Sequence, residues 1–198
     1  GRITVDGADL ARLPTPAWRQ RLAGAFQDFF RFELLALNSV GVGDEPHMDD
    51  RPSVEVAAGR AGADDVIDRL AHGLDTQLGL TWDEGVEVSY GQWQKLALAR
   101  GFMRPDPLLL VLDEPTSALD AETEHALFER YAGAAATGEA AGRITVLISH
   151  RFSTVRMADL IVVMAGARVV EVGSHDELMA RGGTYAELYG IQAAAYRP

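Results

Sequence analysis

Apolar residues along this chain fall into two patterns, unbroken blocks and spaced positions. The blocks at 108–112 (Leu-Leu-Leu-Val-Leu) and at 144–148 (Ile-Thr-Val-Leu-Ile) are closed by Asp113-Glu114-Pro115 and by Ser149-His150. A continuous apolar block ending at a breaker suits a strand buried on both faces, so each predicts a buried strand of a parallel sheet, with 108–112 central. Residues 160–164 and 168–172 flank Gly166 and predict a hairpin, and 2–5 before Asp6-Gly7 predict a short strand meeting a tight turn. Spaced apolar positions predict helices at 18–22, at 54–58, at 63–74 with Val66, Ile67 and Leu70 on one face, and at 92–104 before Pro105 and Pro107. Further helices are expected at 121–132 and at 175–192, the latter broken at Gly182-Gly183. Strands alternating with helices predict an α/β sheet. Between residues 28 and 91 the texture is different: short helical stretches separated by Gly, Pro and Asp turns. This predicts a helical subdomain over 28–91, set within an α/β core formed by 1–27 and 92–198.

Composition narrows the classes. A chain of 198 residues fits one domain with a small subdomain. The formal net charge of -11 opposes a nucleic-acid partner, whose phosphates need a Lys/Arg excess. With no cysteine, disulfide and thiolate chemistry are excluded. No apolar run approaches the ~20 residues needed to cross a bilayer, and the first residues lack the pattern of a signal peptide.

The chemistry concentrates at the ends of the apolar blocks. Carboxylates just past the C-terminal end of a buried strand stand where α/β sheets place their ligands. Of two adjacent ones such as Asp113 and Glu114, one can hold Mg²⁺ and the other can accept a proton from an attacking water. Ser89 and Gly91 precede a predicted helix beginning near Gln92, where free N–H groups and the helix dipole favour an anion.

Asp113-Glu114-Pro115-Thr116-Ser117-Ala118-Leu119-Asp120 resembles the Walker B and D-loop segment of ATP-binding cassette (ABC) proteins. Val88-Ser89-Tyr90-Gly91-Gln92 resembles their signature motif, Gln27 their Q-loop, and His150 within Ile148-Ser149-His150-Arg151 their switch histidine. The tail, from Gly173-Ser174-His175 to Glu187-Leu188, and the head, from Gly1 to Leu10, resemble the exporter type. The resemblance implies a P-loop NTPase-like fold, a mostly parallel sheet with helices on both faces, and ATP with Mg²⁺ as cofactors. It assigns Glu114, His150 and Gln27 to catalysis and Asp113 with Gln27 to the metal. It assigns Ser89, Gly91 and Gln92 to the phosphate of ATP held by a second cassette, in a head-to-tail dimer with Asp120 at the interface. It also implies a transmembrane permease domain fused upstream, hence a place at the cytoplasmic face of the membrane.

Two features depart from the family. No Gly-x-x-x-x-Gly-Lys-Ser/Thr occurs in the chain, so the first strands and the P-loop (Walker A) are expected to be missing and the fragment to be inactive alone. The uncovered sheet is expected to promote self-association. Tyr90 stands where the family usually has glycine, close to the expected dimer interface. Trp93 and His175 are expected to serve packing and capping. Two alternatives stay open: a soluble non-transport ABC ATPase, opposed by the acidic balance, and a non-catalytic regulatory cassette, opposed by Gln27, Asp113, Glu114 and His150.

Overall fold

The computed structural model describes residues 1–115 and 142–195. The expected helix at 121–132, Asp120 and most of the Ala/Gly connection lie outside the described residues. The chain begins with β1 (Thr4–Val5) and β2 (Ala8–Asp9), paired antiparallel. Asp6 and Gly7 between them have φ of 48° and 79°. Two successive positive φ values define the tight hairpin turn for which Asp-Gly is favoured. The first helix, α1 (Thr15–Arg19), starts earlier than expected because Pro14 and Pro16 open it; proline's fixed φ suits a first turn. It leads into β3 (Leu22–Ala25).

Three helices follow, α2 (Ala36–Gly41), α3 (Arg51–Ala61) and α4 (Asp64–Ile67). Pro52 in its first turn and Gly62 beyond its end, at φ 61°, give α3 its limits. The long helix expected at 63–74 is corrected to the short α4. Beyond it Arg69 N–H bonds Val66 O at 3.2 Å and Leu70 N–H bonds Ile67 O at 3.1 Å, tight three-residue turns, and Gly73 reverses the chain at φ 53°. Of the expected face, Val66 and Leu70 are nevertheless buried, and Ile67 is half-buried against the same core.

Helix α5 (Tyr90–Gly101) is the pivot of the packing. It starts ahead of the expected Gln92 because Ser89 caps it, the hydroxyl accepting from Gln92 N–H while the Gln92 side chain accepts from Ser89 N–H. It packs against α2, α3 and β3. Its last residue allows a close approach: a Cβ on Gly101 would lie 2.8 Å from Gly24 O and 3.2 Å from Ala25 Cβ. Gly101→Ala must therefore push α5 off β3. The expected cost is roughly 1–3 kcal/mol, read as a lower urea midpoint; an unchanged midpoint would show that helix and strand separate freely.

β4 (Leu109–Asp113) runs between β3 and β5 (Ile144–Ile148), parallel to both. It is central, as expected, with Leu110 and Leu112 buried. The expectation that 144–148 is buried is corrected. Among the described residues β5 is the outer strand of a three-stranded sheet, and it leaves Ile144 63%, Val146 41% and Ile148 49% exposed. An apolar block reports that a strand suits burial, not that a neighbour covers it.

The chain continues through α6 (Phe152–Val155) to the expected hairpin of β6 (Ile161–Ala165) and β7 (Arg168–Gly173), turning at Gly166 and Ala167 with φ 54° and 59°. α7 (His175–Arg181) and α8 (Thr184–Ala195) follow. Gly182, at φ 65°, ends α7. At Gly183 a Cβ would collide with the Glu171 carboxylate, which accepts the Tyr185 N–H at 2.7 Å. The capping role expected of His175 is corrected: Ser174 caps α7, and His175 packs, with its Nδ1 2.9 Å from the Tyr185 hydroxyl and its ring against Tyr189. Burial pushes the Tyr185 hydroxyl pKa up, and Tyr189 adds to the shift.

One continuous core joins the helices to the sheet, from Val40, Val54 and Ala58 through Trp93, Leu96 and Leu98 to Leu110 and Leu112. Ile161, Leu178 and Tyr185 centre a second cluster, backed by Phe152 and Tyr189.

Candidate functional site

The register of the parallel sheet lines up three strand ends. Ala25 pairs with Leu112, and Asp113 with Ile148. Gln27, Asp113 with Glu114, and His150 consequently leave the C-terminal edges of β3, β4 and β5 side by side. This is the edge at which open α/β sheets bind their ligands.

Glu114 has a positive φ of 42°, a conformation that costs a non-glycine residue free energy and that clusters at functional sites. Its N–H donates to Ile148 O at 2.9 Å, which fixes the strained backbone against β5. The side chain then projects to His150, with Glu114 Oε1 3.1 Å from His150 Nδ1. The imidazole is 63% exposed and the carboxylate 27%, so the pair is open to a ligand arriving from the strand ends.

The signature segment forms the second grouping. The capping box of α5 takes up the N–H groups of Ser89 and Gln92. Those of Tyr90 and Gly91 lie in the first turn, where no intrahelical acceptor exists. Tyr90 and the residues after β3 line a cleft of about 320 Å³, with Gln27, Asp28, Phe29, Phe30 and Arg31 on its other side. Gln27 and the signature, 63 positions apart as 90 − 27, are brought to one cleft.

Several residues here were not legible in the sequence. The Tyr90 ring lies 5.4 Å from that of Phe29, and the Arg31 guanidinium lies 5.6 Å from the Tyr90 centroid. Arg31 also pairs with Glu87 at 3.7 Å. Tyr90 thus fills the glycine position of the resemblance with a contact to the segment that follows Gln27 in its own chain. Trp93 packs, as expected, and donates Nε1–H to Glu87 at 3.2 Å. Arg100 reaches back from α5 to donate to Phe30 O at 3.0 Å and Ser39 O at 2.9 Å, its guanidinium over the Phe32 ring at 4.4 Å. Burial pushes its pKa down to about 10, which leaves it charged at neutral pH. The one available signal was weak, a cation in the apolar last turns of α5, after Leu96, Ala97, Leu98 and Ala99.

Comparisons with known proteins bear on the family and the fold. A family model described as ABC transporter matches residues 1–117. The chain is 41% identical over 192 residues to the ATP-dependent lipid A-core flippase of Aromatoleum aromaticum, covering 97% of this chain and 30% of that protein. It is 42% identical over 193 residues to the flippase of the same name from Chromohalobacter salexigens, covering 97% and 31%. The structure of a bacterial Atm1-family ABC exporter with ATP bound superposes with a TM-score of 0.84 at 34% identity, covering 100% of this chain and 33% of that one. The chain therefore spans about a third of the length of the relatives it matches. With its parallel sheet, its site at the strand ends and the family match over residues 1–117, the chain belongs to the ABC transporter family and is a nucleotide-binding cassette of the exporter type.

Proposed function

We propose that this cassette binds and hydrolyses ATP to power export across a membrane. The observation that carries the reading is the Glu114–His150 pair, 3.1 Å apart at the C-terminal edge of the parallel strands. Glu114 orients the attacking water and accepts its proton, while His150 contacts the γ-phosphate and stabilises the charge that develops there. Among the described residues no group of three or more His, Asp or Glu side chains gathers to hold a metal. Mg²⁺ in a nucleotide site takes one or two protein ligands and fills its shell with phosphate and water. Asp113 and Gln27 are the residues that would hold the ion, whose charge offsets that of the phosphates.

The first-turn amides of Tyr90 and Gly91, with Ser89 and Gln92, face the γ-phosphate of ATP bound by a second cassette, so the working unit is a head-to-tail dimer. Asp120 belongs to the same interface. The division of labour follows the sequence: 1–27 and 92–198 form the catalytic core, and 28–91 form a helical subdomain ending in the signature. Among the described residues no helix is long and apolar enough to cross a membrane. We assign that task to a permease domain joined upstream, with the cassette on the cytoplasmic face. Since the curated relatives are named as lipid A-core flippases, a lipid is the cargo class we carry over.

The phosphate-holding sequence Gly-x-x-x-x-Gly-Lys-Ser/Thr is not among these 198 residues. Calorimetric titration of MgATP into the chain is expected to give little or no heat, and a chain extended upstream through that loop is expected to bind. Micromolar binding by the 198-residue chain itself would mean that other residues hold the phosphates and would overturn these assignments.

A further inference from the structure

The last helix reaches back to the switch histidine. Gln192 on α8 lies against the turn that joins β5 to α6. Its Nε2–H donates to His150 O at 2.8 Å, and its Oε1 accepts the Phe152 N–H at 3.4 Å. One planar carboxamide thus grips the backbone on both sides of Arg151. The grip fixes orientation as well as place, because exchanging oxygen and nitrogen would set donor against donor and acceptor against acceptor. Beside it the Phe152 ring packs edge-on against Tyr185 at 5.4 Å and Tyr189 at 5.5 Å, both from α8. Helices α6 and α8 are joined by this aromatic cluster, and Gln192 is its polar end.

His150 depends on such support. Its side chain is 63% exposed, so little packing restrains the ring, and the backbone of the turn decides where the imidazole points. We infer that Gln192 is a positioning residue for hydrolysis: holding the His150 carbonyl keeps the imidazole in register with Glu114 and the incoming phosphate. This rests on the function proposed above.

Two readouts on the complete exporter polypeptide separate the tie from its purpose. Gln192→Met removes both hydrogen bonds at similar volume, and the Phe152 amide should then exchange with solvent roughly five- to tenfold faster. ATP turnover should fall by a similar factor in kcat, with KM unchanged. The loss should disappear in a His150→Ala background, since the two residues act as one. Gln192→Glu keeps the acceptor for Phe152 N–H and turns a carboxylate toward the His150 carbonyl; it should leave Phe152 protected and still lower kcat. Unchanged Phe152 exchange in Gln192→Met overturns the tie. Faster exchange with normal kcat, or a kcat loss that persists undiminished in His150→Ala, overturns the positioning role. Normal turnover in Glu114→Gln would instead sink the hydrolytic reading itself, a separate failure that the exchange data identify as such.

Discussion

Replacing Glu114 by glutamine is expected to lower ATP turnover by the complete exporter roughly 10²–10⁴-fold, the usual contribution of a positioned general base. Nucleotide binding should survive, because the amide keeps the shape of the carboxylate and removes only its ability to take a proton. The backbone at this position has φ 42°, a strain that either side chain meets equally, so the comparison is not confounded by folding. The effect should be on kcat with KM nearly constant, as expected for an interaction made in the transition state. His150→Ala should lose less than the additive sum in combination with Glu114→Gln, since the two side chains lie 3.1 Å apart and share one ligand. Steady-state hydrolysis within twofold of wild type in Glu114→Gln would end the assignment. The 198-residue chain by itself should show no turnover above the same variant used as a blank.

The largest effect on stability is expected from Trp93→Ala. Trp93 is 1% exposed and sits in the core shared by the helices and β4. Removing a buried indole costs roughly 3–5 kcal/mol, which for a domain of this size lowers the melting temperature by roughly 6–20 °C. Two further losses accompany the cavity. The Nε1–H bond to Glu87 disappears, and Glu87 is also the partner of Arg31. Trp93→Phe separates the contributions by keeping most of the packing and removing the hydrogen bond, so it should fall between wild type and alanine. Thermal unfolding followed by far-ultraviolet dichroism decides the matter, and a midpoint for Trp93→Ala close to wild type would mean the core at the head of α5 is not continuous.

What the sequence made legible was local. The apolar block at 108–112 announced a central strand, Asp6-Gly7 and Gly166 announced their turns, and Gly182-Gly183 divided the tail, because each of these is decided within a few residues. The strand ends carried the candidate chemistry for the same reason: Glu114 and His150 each stand two positions past the end of an apolar block. The illegible features all depend on what lies across space. The exposure of β5 depends on its neighbours in the sheet, and the shortness of α4 on turns that bury Leu70 and Leu74 without a regular helix. The contact of Arg31 and Phe29 with Tyr90, and that of Gln192 with His150, join residues 59, 61 and 42 positions apart (90 − 31, 90 − 29, 192 − 150). No periodicity in a single chain encodes such pairings. The signature motif shows both sides, since Ser89 and Gln92 formed the capping box that their spacing allows, and the ring of Tyr90 found a partner that no spacing announces.

The Arg100 guanidinium has a mechanical consequence. By holding the carbonyls of Phe30 and Ser39, it ties α5 to α2 and to the segment that leads from β3 into α2, so these parts move as one unit. The end of that unit is seated on β3, where Gly101 closes on Gly24 and Ala25. A displacement of α2 would therefore be carried through α5 into the strand that ends beside Gln27, rather than be absorbed between helix and sheet.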